Sequence, residues 1–263
     1  MPFSILRKAL FLSVLVLIAT SLHAQTTGKL KRRPNIPGSI IVDFGFNGTQ
    51  NSPVLWRQTF FGSRTVNIYY QYPLRFGRSN FSFNPGIGLS MERFKWKTNI
   101  VLTDPAETGT QVPTEKYEFA NAERIYDDPR KLMLVNNYLE VPLEFRYDSK
   151  PEDISRSFNI AIGARGGWMY DSFMKIKYKQ DGQTKKLKDK QDFGLTQLRY
   201  GVYTRIGMGG FNVFCFYNLT PLFQKNMGPY DKGSISEGGA IVGSNASGTA
   251  MTTFTAGISL NAF

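Results

Sequence analysis

From Gly38 onward, apolar and polar residues alternate with period two, and the alternation marks eight extended segments. Residues 136–149, NNYLEVPLEFRYDS, show it most clearly. Leu139, Val141, Leu143, Phe145 and Tyr147 alternate there with Glu140, Pro142, Glu144 and Arg146. Earlier in the chain, Ile40, Val42, Phe44 and Phe46 oppose Asp43 and Asn47. Val66, Ile68, Tyr70, Tyr72 and Leu74 oppose Asn67, Gln71 and Arg75, and Phe81, Phe83, Ile87, Leu89 and Met91 oppose Asn84, Ser90 and Glu92. Later, Phe158, Ile160, Ile162, Ala164, Trp168 and Tyr170 stand against Asn159, Gly163, Arg165 and Asp171. Leu198 to Ile206, Phe211 to Tyr217 and Phe254 to Leu260 complete the set, with Arg199 and Arg205 on the polar side of the sixth.

A segment with one greasy and one charged face fits a soluble sandwich or a membrane barrel. The connections separate the two. Residues 48–62, 76–80, 98–131, 148–153, 174–191, 208–210 and 225–249 alternate between long and short. A sandwich has no reason to gather its long loops at one end, whereas a membrane barrel does so routinely. The pattern predicts an all-β, eight-stranded antiparallel up-and-down transmembrane β-barrel with long external loops and short periplasmic turns.

The N-terminus supports that expectation. Arg7 and Lys8 precede an apolar run from Ala9 to Ala19, and Ser21-Leu22-His23-Ala24 follow, which reads as a signal peptide over 1–24 cut after Ala24. Residues 25–37 then form a periplasmic leader and 38–263 the barrel. No later stretch approaches the ~18 consecutive apolar residues of a spanning helix. The expected location is the cell outer membrane.

The net charge is +12, and losing Arg7 and Lys8 leaves 30 basic against 20 acidic residues. On an exported chain that balance points to lipid phosphates, so outer-membrane lipid and lipopolysaccharide are the expected partners, with other envelope proteins. The lysine-rich KIKYKQDGQTKKLKDK of residues 175–190 suits the same surface, Lys175, Lys177 and Lys179 sharing one face. KLKRR at 29–33 lacks stacking aromatics, so nucleic acid is not an expected partner.

The only histidine, His23, leaves with the signal peptide. Serine–histidine and aspartate–histidine chemistry leave with it, and zinc and haem lose their commonest ligand. The one cysteine, Cys215, has no partner for an internal disulfide. Carboxylates remain: Asp43, Glu92, Glu140 and Glu144 share the inward phase with Arg75, Arg146, Arg165, Arg199 and Arg205. Four acids among five arginines form a structural charge network more simply than a catalytic pair, because confined charges must be paired. Tyr69, Tyr138 and Tyr203 share that phase and fill the lumen. We therefore expect no enzyme, no cofactor and no metal.

The segment YLEVPL, with Tyr138, Leu139, Glu140, Pro142 and Leu143, resembles a strand of the PorT-like outer-membrane β-barrel family of Gram-negative bacteria. Ala24-Gln25, NPGIGLSMERF at 84–94, YNLTPLF at 217–223 and the terminal GISLNAF are similar to the same group. The resemblance implies an outer-membrane location and, for some relatives, a part in protein secretion. An accessory role in a secretion system and a narrow pore are thus the alternatives to a structural or interaction role. Terminal Phe263 would present the chain to the barrel assembly machinery. Ile258 and Leu260 put Ala262 rather than Phe263 in the lipid-facing phase, so a terminal bulge would be needed.

Overall fold

A computed structural model describes residues 38–53, 56–97, 99–103, 118–153, 156–225, 227–228 and 251–262. The expected signal peptide, the leader and Phe263 lie outside these ranges. Among the described residues no helix is long and apolar enough to cross a membrane.

The described residues form twelve strands: β1 (Ser39–Gln50), β2 (Arg64–Gln71), β3 (Leu74–Arg75), β4 (Phe81–Lys95), β5 (Ile100–Thr103), β6 (Glu118–Asn121), β7 (Pro129–Asp148), β8 (Phe158–Gln180), β9 (Gln183–Asp189), β10 (Leu198–Met208), β11 (Phe211–Asn218) and β12 (Thr252–Ala262). Eight of them pair in sequence order, β1-β2-β4-β7-β8-β10-β11-β12, and β12 pairs back onto β1. All these pairings are antiparallel, so the eight strands close into an up-and-down barrel, with β9 pairing only onto the extension of β8. The eight strands are those the alternation marks. β3 prolongs β2 beyond Pro73, which has no N–H to give to the ladder.

At the level of the central strand segments the barrel is polar inside and apolar outside. On β7, Val141 is 48% exposed and Leu143 44%, while Glu140 and Glu144 between them are 0% and 1% exposed. Ile68, Leu89, Ile160, Val202, Val213 and Ile258 continue the outward apolar face around the barrel. This is the polarity of a membrane barrel, where lipid replaces water as the outer solvent. Large inward side chains need small neighbours in so narrow a ring. A Cβ on Gly163 would meet the Tyr203 ring at 2.7 Å, and one on Gly201 the Phe216 ring at 2.5 Å.

Two expectations fail locally. Residues 174–191 are not a loop: β8 runs on to Gln180 and turns through Asp181 and Gly182, both at positive φ, into β9. An Asp-Gly pair at positive φ is what a tight two-residue hairpin requires. Asp171 does not point inward, because a bulge shifts the β7–β8 register between Asn137 and Tyr138. Tyr170 is the extra residue, and beyond it the inward positions of β8 change from odd to even. Asp171 is therefore on the outer face, bonded to Lys190 at 2.8 Å.

Candidate functional site: a closed barrel interior

The interior at the level of the apolar belt is a connected set of charges. Arg205 on β10 donates from Nη2 to both oxygens of Asp43 on β1, at 3.2 and 3.0 Å, and from Nη1 to Glu144 on β7. Tyr203 donates to the same Glu144 oxygen at 3.1 Å. One level towards the long loops, Arg199 contacts Glu140 and, at 2.7 Å, Glu92 of β4. Its Nη2 also donates to Ser90 Oγ at 2.9 Å. Arg165 on β8 reaches Glu140 at 3.6 Å and donates to the Tyr69 hydroxyl, which itself donates to Glu140.

Strand pairing explains why these groups meet. Asn84 stands opposite Glu144 and Gly88 opposite Glu140, and each carboxylate faces arginines from across the lumen. Guanidinium planes also rest on aromatic rings: Arg165 lies 3.4 Å from the Phe216 centroid and Arg199 3.5 Å from that of Tyr138. Such stacking satisfies the faces that hydrogen bonds leave over. All seven charged groups are buried.

Of the nine expected members, Asp43, Glu92, Glu140, Glu144, Arg165, Arg199 and Arg205 form this network. Arg146 is buried but belongs to a separate pair with Asp148, Nε to Oδ1 at 3.0 Å, near the short turns. Asp148 is a partner that alternation could have found, since it continues the even phase of Glu140 and Glu144. Arg75 is a correction. It is exposed at the short-turn rim, on a two-residue strand beyond Pro73, and takes no part in the network. The expectation for Phe263 falls outside the described residues. β12 pairs without interruption from Thr252 to Ala262 against Gln50 to Ile40, so no bulge lies within that span.

Above the charges is a second interior layer that the sequence reading missed. Inward residues of the strand extensions, Phe94, Trp96, Leu134, Met174 and Ile176, pack with residues brought in from the loops. Trp56 arrives from the β1–β2 connection, Phe193 and Leu195 from β9–β10, and Leu222, Phe223 and Met251 from either end of β11–β12. Trp56 meets Trp96 edge-on at 5.2 Å and Phe223 at 6.0 Å. Backbone bonds tie the loops together: Leu222 N–H donates to Met251 at 2.7 Å and Thr196 N–H to Leu222 at 2.9 Å.

The arrangement can hold the barrel shut at two levels. Carboxylates in it are engaged by arginines rather than aimed at open space. Among the described residues no group of three or more His, Cys, Asp or Glu side chains is placed to hold a metal ion.

No protein-family model matches the chain, and no curated protein matches it. Among solved structures, it is similar to the crystal structure of Neisserial surface protein A, at 10% sequence identity over 85% of this chain and 96% of that one, with a TM-score of 0.33.

Proposed function

We propose that the chain is a non-enzymatic integral protein of the outer membrane whose role is structural or interactive. The observation that carries this is the inside-out barrel wall around an interior closed by paired charges and, above them, by an apolar cap. A closed barrel leaves its outer wall and loop surface to meet partners. Eight strands enclose a space that side chains just fill, so a conduit is the weaker alternative. The accessory secretion role rests on the PorT-like resemblance of residues such as 138–143.

Fractionation tests the location. The protein should stay with outer membranes until detergent is added, begin at Gln25, and shift gel mobility only after boiling in SDS. Recovery in the soluble periplasmic fraction would refute the reading. Planar bilayers test the role: purified protein should give no large stable conductance, and steady current of porin size would replace this proposal with the pore.

A further inference from the structure

Near the long loops the outer face of the barrel carries charges that repel one another. Arg64 of β2 stands directly opposite Arg93 of β4. Lys131 of β7 stands opposite Lys177 of β8, which faces Lys186 of β9 on its other side, and Lys175 stands opposite Lys188. Lys131 is also within electrostatic reach of Lys175, Lys95, Arg64 and Arg93, so these pairs make one field. Like charges directly opposite each other destabilise an antiparallel pair. Among the described residues none of these side chains has an ion-pair partner, and the acid at the lower edge, Asp171, is engaged by Lys190 and Asn137.

A second, independent feature adjoins the arginine pair. Phe46, the cross-strand neighbour of Arg64, lines an apolar groove of about 300 Å³ with Gly48, Gln58, Phe60, Phe254 and Ala256. Phe46 stacks on Phe60 at 4.8 Å and meets Phe61 edge-on at 5.9 Å. Phe60 and Phe61 are 61% and 76% exposed, a large aromatic surface that water disfavours. The Phe254 ring lies over Gly48, where a Cβ would meet it at 2.2 Å, so glycine there keeps the groove open.

A hydrocarbon slot beside two unpaired guanidiniums fits one kind of ligand: an acyl chain joined to a phosphate. Arginine's planar fork suits phosphate oxygens. We infer that this face binds a phosphate-bearing glycolipid of the outer leaflet, with an acyl chain in the Phe46–Phe254 groove and a phosphate between Arg64 and Arg93. The lysine ladder of β7, β8 and β9 reaches further anionic groups above it. The inference rests on the proposed outer-membrane location, with the long loops outside.

The test refolds the mature chain into phosphatidylcholine vesicles with and without bisphosphorylated lipid A. Dephosphorylated lipid A and inorganic pyrophosphate serve as comparison ligands. The wild type should gain thermal resistance in the SDS mobility assay with bisphosphorylated lipid A alone. Arg64→Gln/Arg93→Gln should unfold at or above the wild-type temperature in phosphatidylcholine, because a repulsion is gone, yet bind lipid A at least tenfold more weakly. Arg93→Gln alone should show both effects in smaller measure, which preserves the test if the double variant folds poorly. Gly48→Leu should fold, displace Phe254 and weaken lipid A binding while leaving the arginines in place. Equal binding of dephosphorylated lipid A or pyrophosphate, or undiminished lipid A binding by the double variant, would overturn the inference. Failure of the wild type to insert into any vesicle would instead overturn the membrane reading and this inference with it.

Discussion

The barrel has two interiors, and they are built from opposite materials. At the level of the apolar belt the inward side chains are Asp43, Glu140, Glu144, Arg165, Arg199 and Arg205, while the outward ones are Val141, Leu143, Ile160 and Val202. Near the long loops the inward side chains are Phe94, Trp96, Leu134 and Ile176, and the outward ones are Arg93, Lys95, Lys131 and Lys177. β4 passes from one arrangement to the other within a few residues. Met91 outside and Glu92 inside are followed by Arg93 outside and Phe94 inside, with no break in pairing to β7.

Nothing in the backbone requires this reversal. Strand geometry sets only which residues share a face; the solvent beyond that face sets what they must be. Where lipid lies outside, apolar side chains go outward and the lumen can be polar if its charges are paired. Where water lies outside, the strand takes up the polarity of a soluble protein and buries an apolar core. The inversion on β4, between Met91 and Arg93, therefore marks the edge of the membrane belt. On β8 it falls between Trp168 and Lys175 and coincides with the bulge at Tyr170.

The largest effect separating the two interiors should come from Glu140. It is the carboxylate shared by Arg165 and Arg199. Glu140→Ala would leave both guanidiniums confined without their common partner, at a cost of ~3–5 kcal/mol. Urea unfolding of the refolded protein in vesicles would measure it. Replacing Glu140, Arg165 and Arg199 together with well-packed apolar residues should recover much of the loss. A harmless Glu140→Ala would mean that the network contributes little to holding the barrel.

Val141, one residue on, tests the opposite face. Val141→Arg should cost ~2–4 kcal/mol if that face meets hydrocarbon near mid-membrane. The same change on the outer face at the upper side of the inversion, Phe173→Arg, should cost far less, since this half-buried ring already carries Lys188 5.0 Å from its centroid. Equal penalties at 173 and 141 would remove the boundary inferred from the inversion.

A third comparison moves into the cap. Ile176 is 1% exposed and faces inward on β8, beyond the belt. Ile176→Val should cost ~0.5–1.5 kcal/mol, as in an ordinary soluble core. Limited proteolysis should show the added susceptibility in the long loops rather than in the barrel wall, because loop residues such as Phe223 and Leu195 share that core.

Alternation made the lower interior legible and hid the upper one. A single inward phase per strand locates Asp43, Glu92, Glu140, Glu144, Arg165, Arg199 and Arg205, and the structure brings all seven together. The reversal defeats the same reading in RKLMLV at 130–135, where Leu132 and Leu134 point in while Lys131, Met133 and Val135 face out, and in KIKYK at 175–179, where Ile176 and Tyr178 point in and the lysines out, so strands resemble loops. The cap was hidden for another reason. Its residues come from separate connections, and nothing local says that Trp56, Phe193 and Phe223 meet. Tyr170 takes the extra place at the bulge without a glycine to announce it. The Asp181-Gly182 turn did carry a signal, the residue pair that a tight hairpin prefers.

The smallest expected effect belongs to Arg75, and it sharpens the definition of the lower interior. Phase alone places Arg75 with the lumen charges, since its partner Ser82 is a buried inward residue. Phase, however, says nothing about depth. Pro73 interrupts the ladder before Arg75, so the chain has reached the rim where water solvates a guanidinium without help. Arg75→Ala should therefore change stability by less than ~0.5 kcal/mol, the range of ordinary surface substitutions. Arg146→Ala should cost clearly more, because it leaves Asp148 buried without its 3.0 Å partner. The pair differs in burial while sharing residue type and facing phase. Equal losses in matched unfolding measurements would return Arg75 to the charge network and extend the closed interior to the short-turn rim.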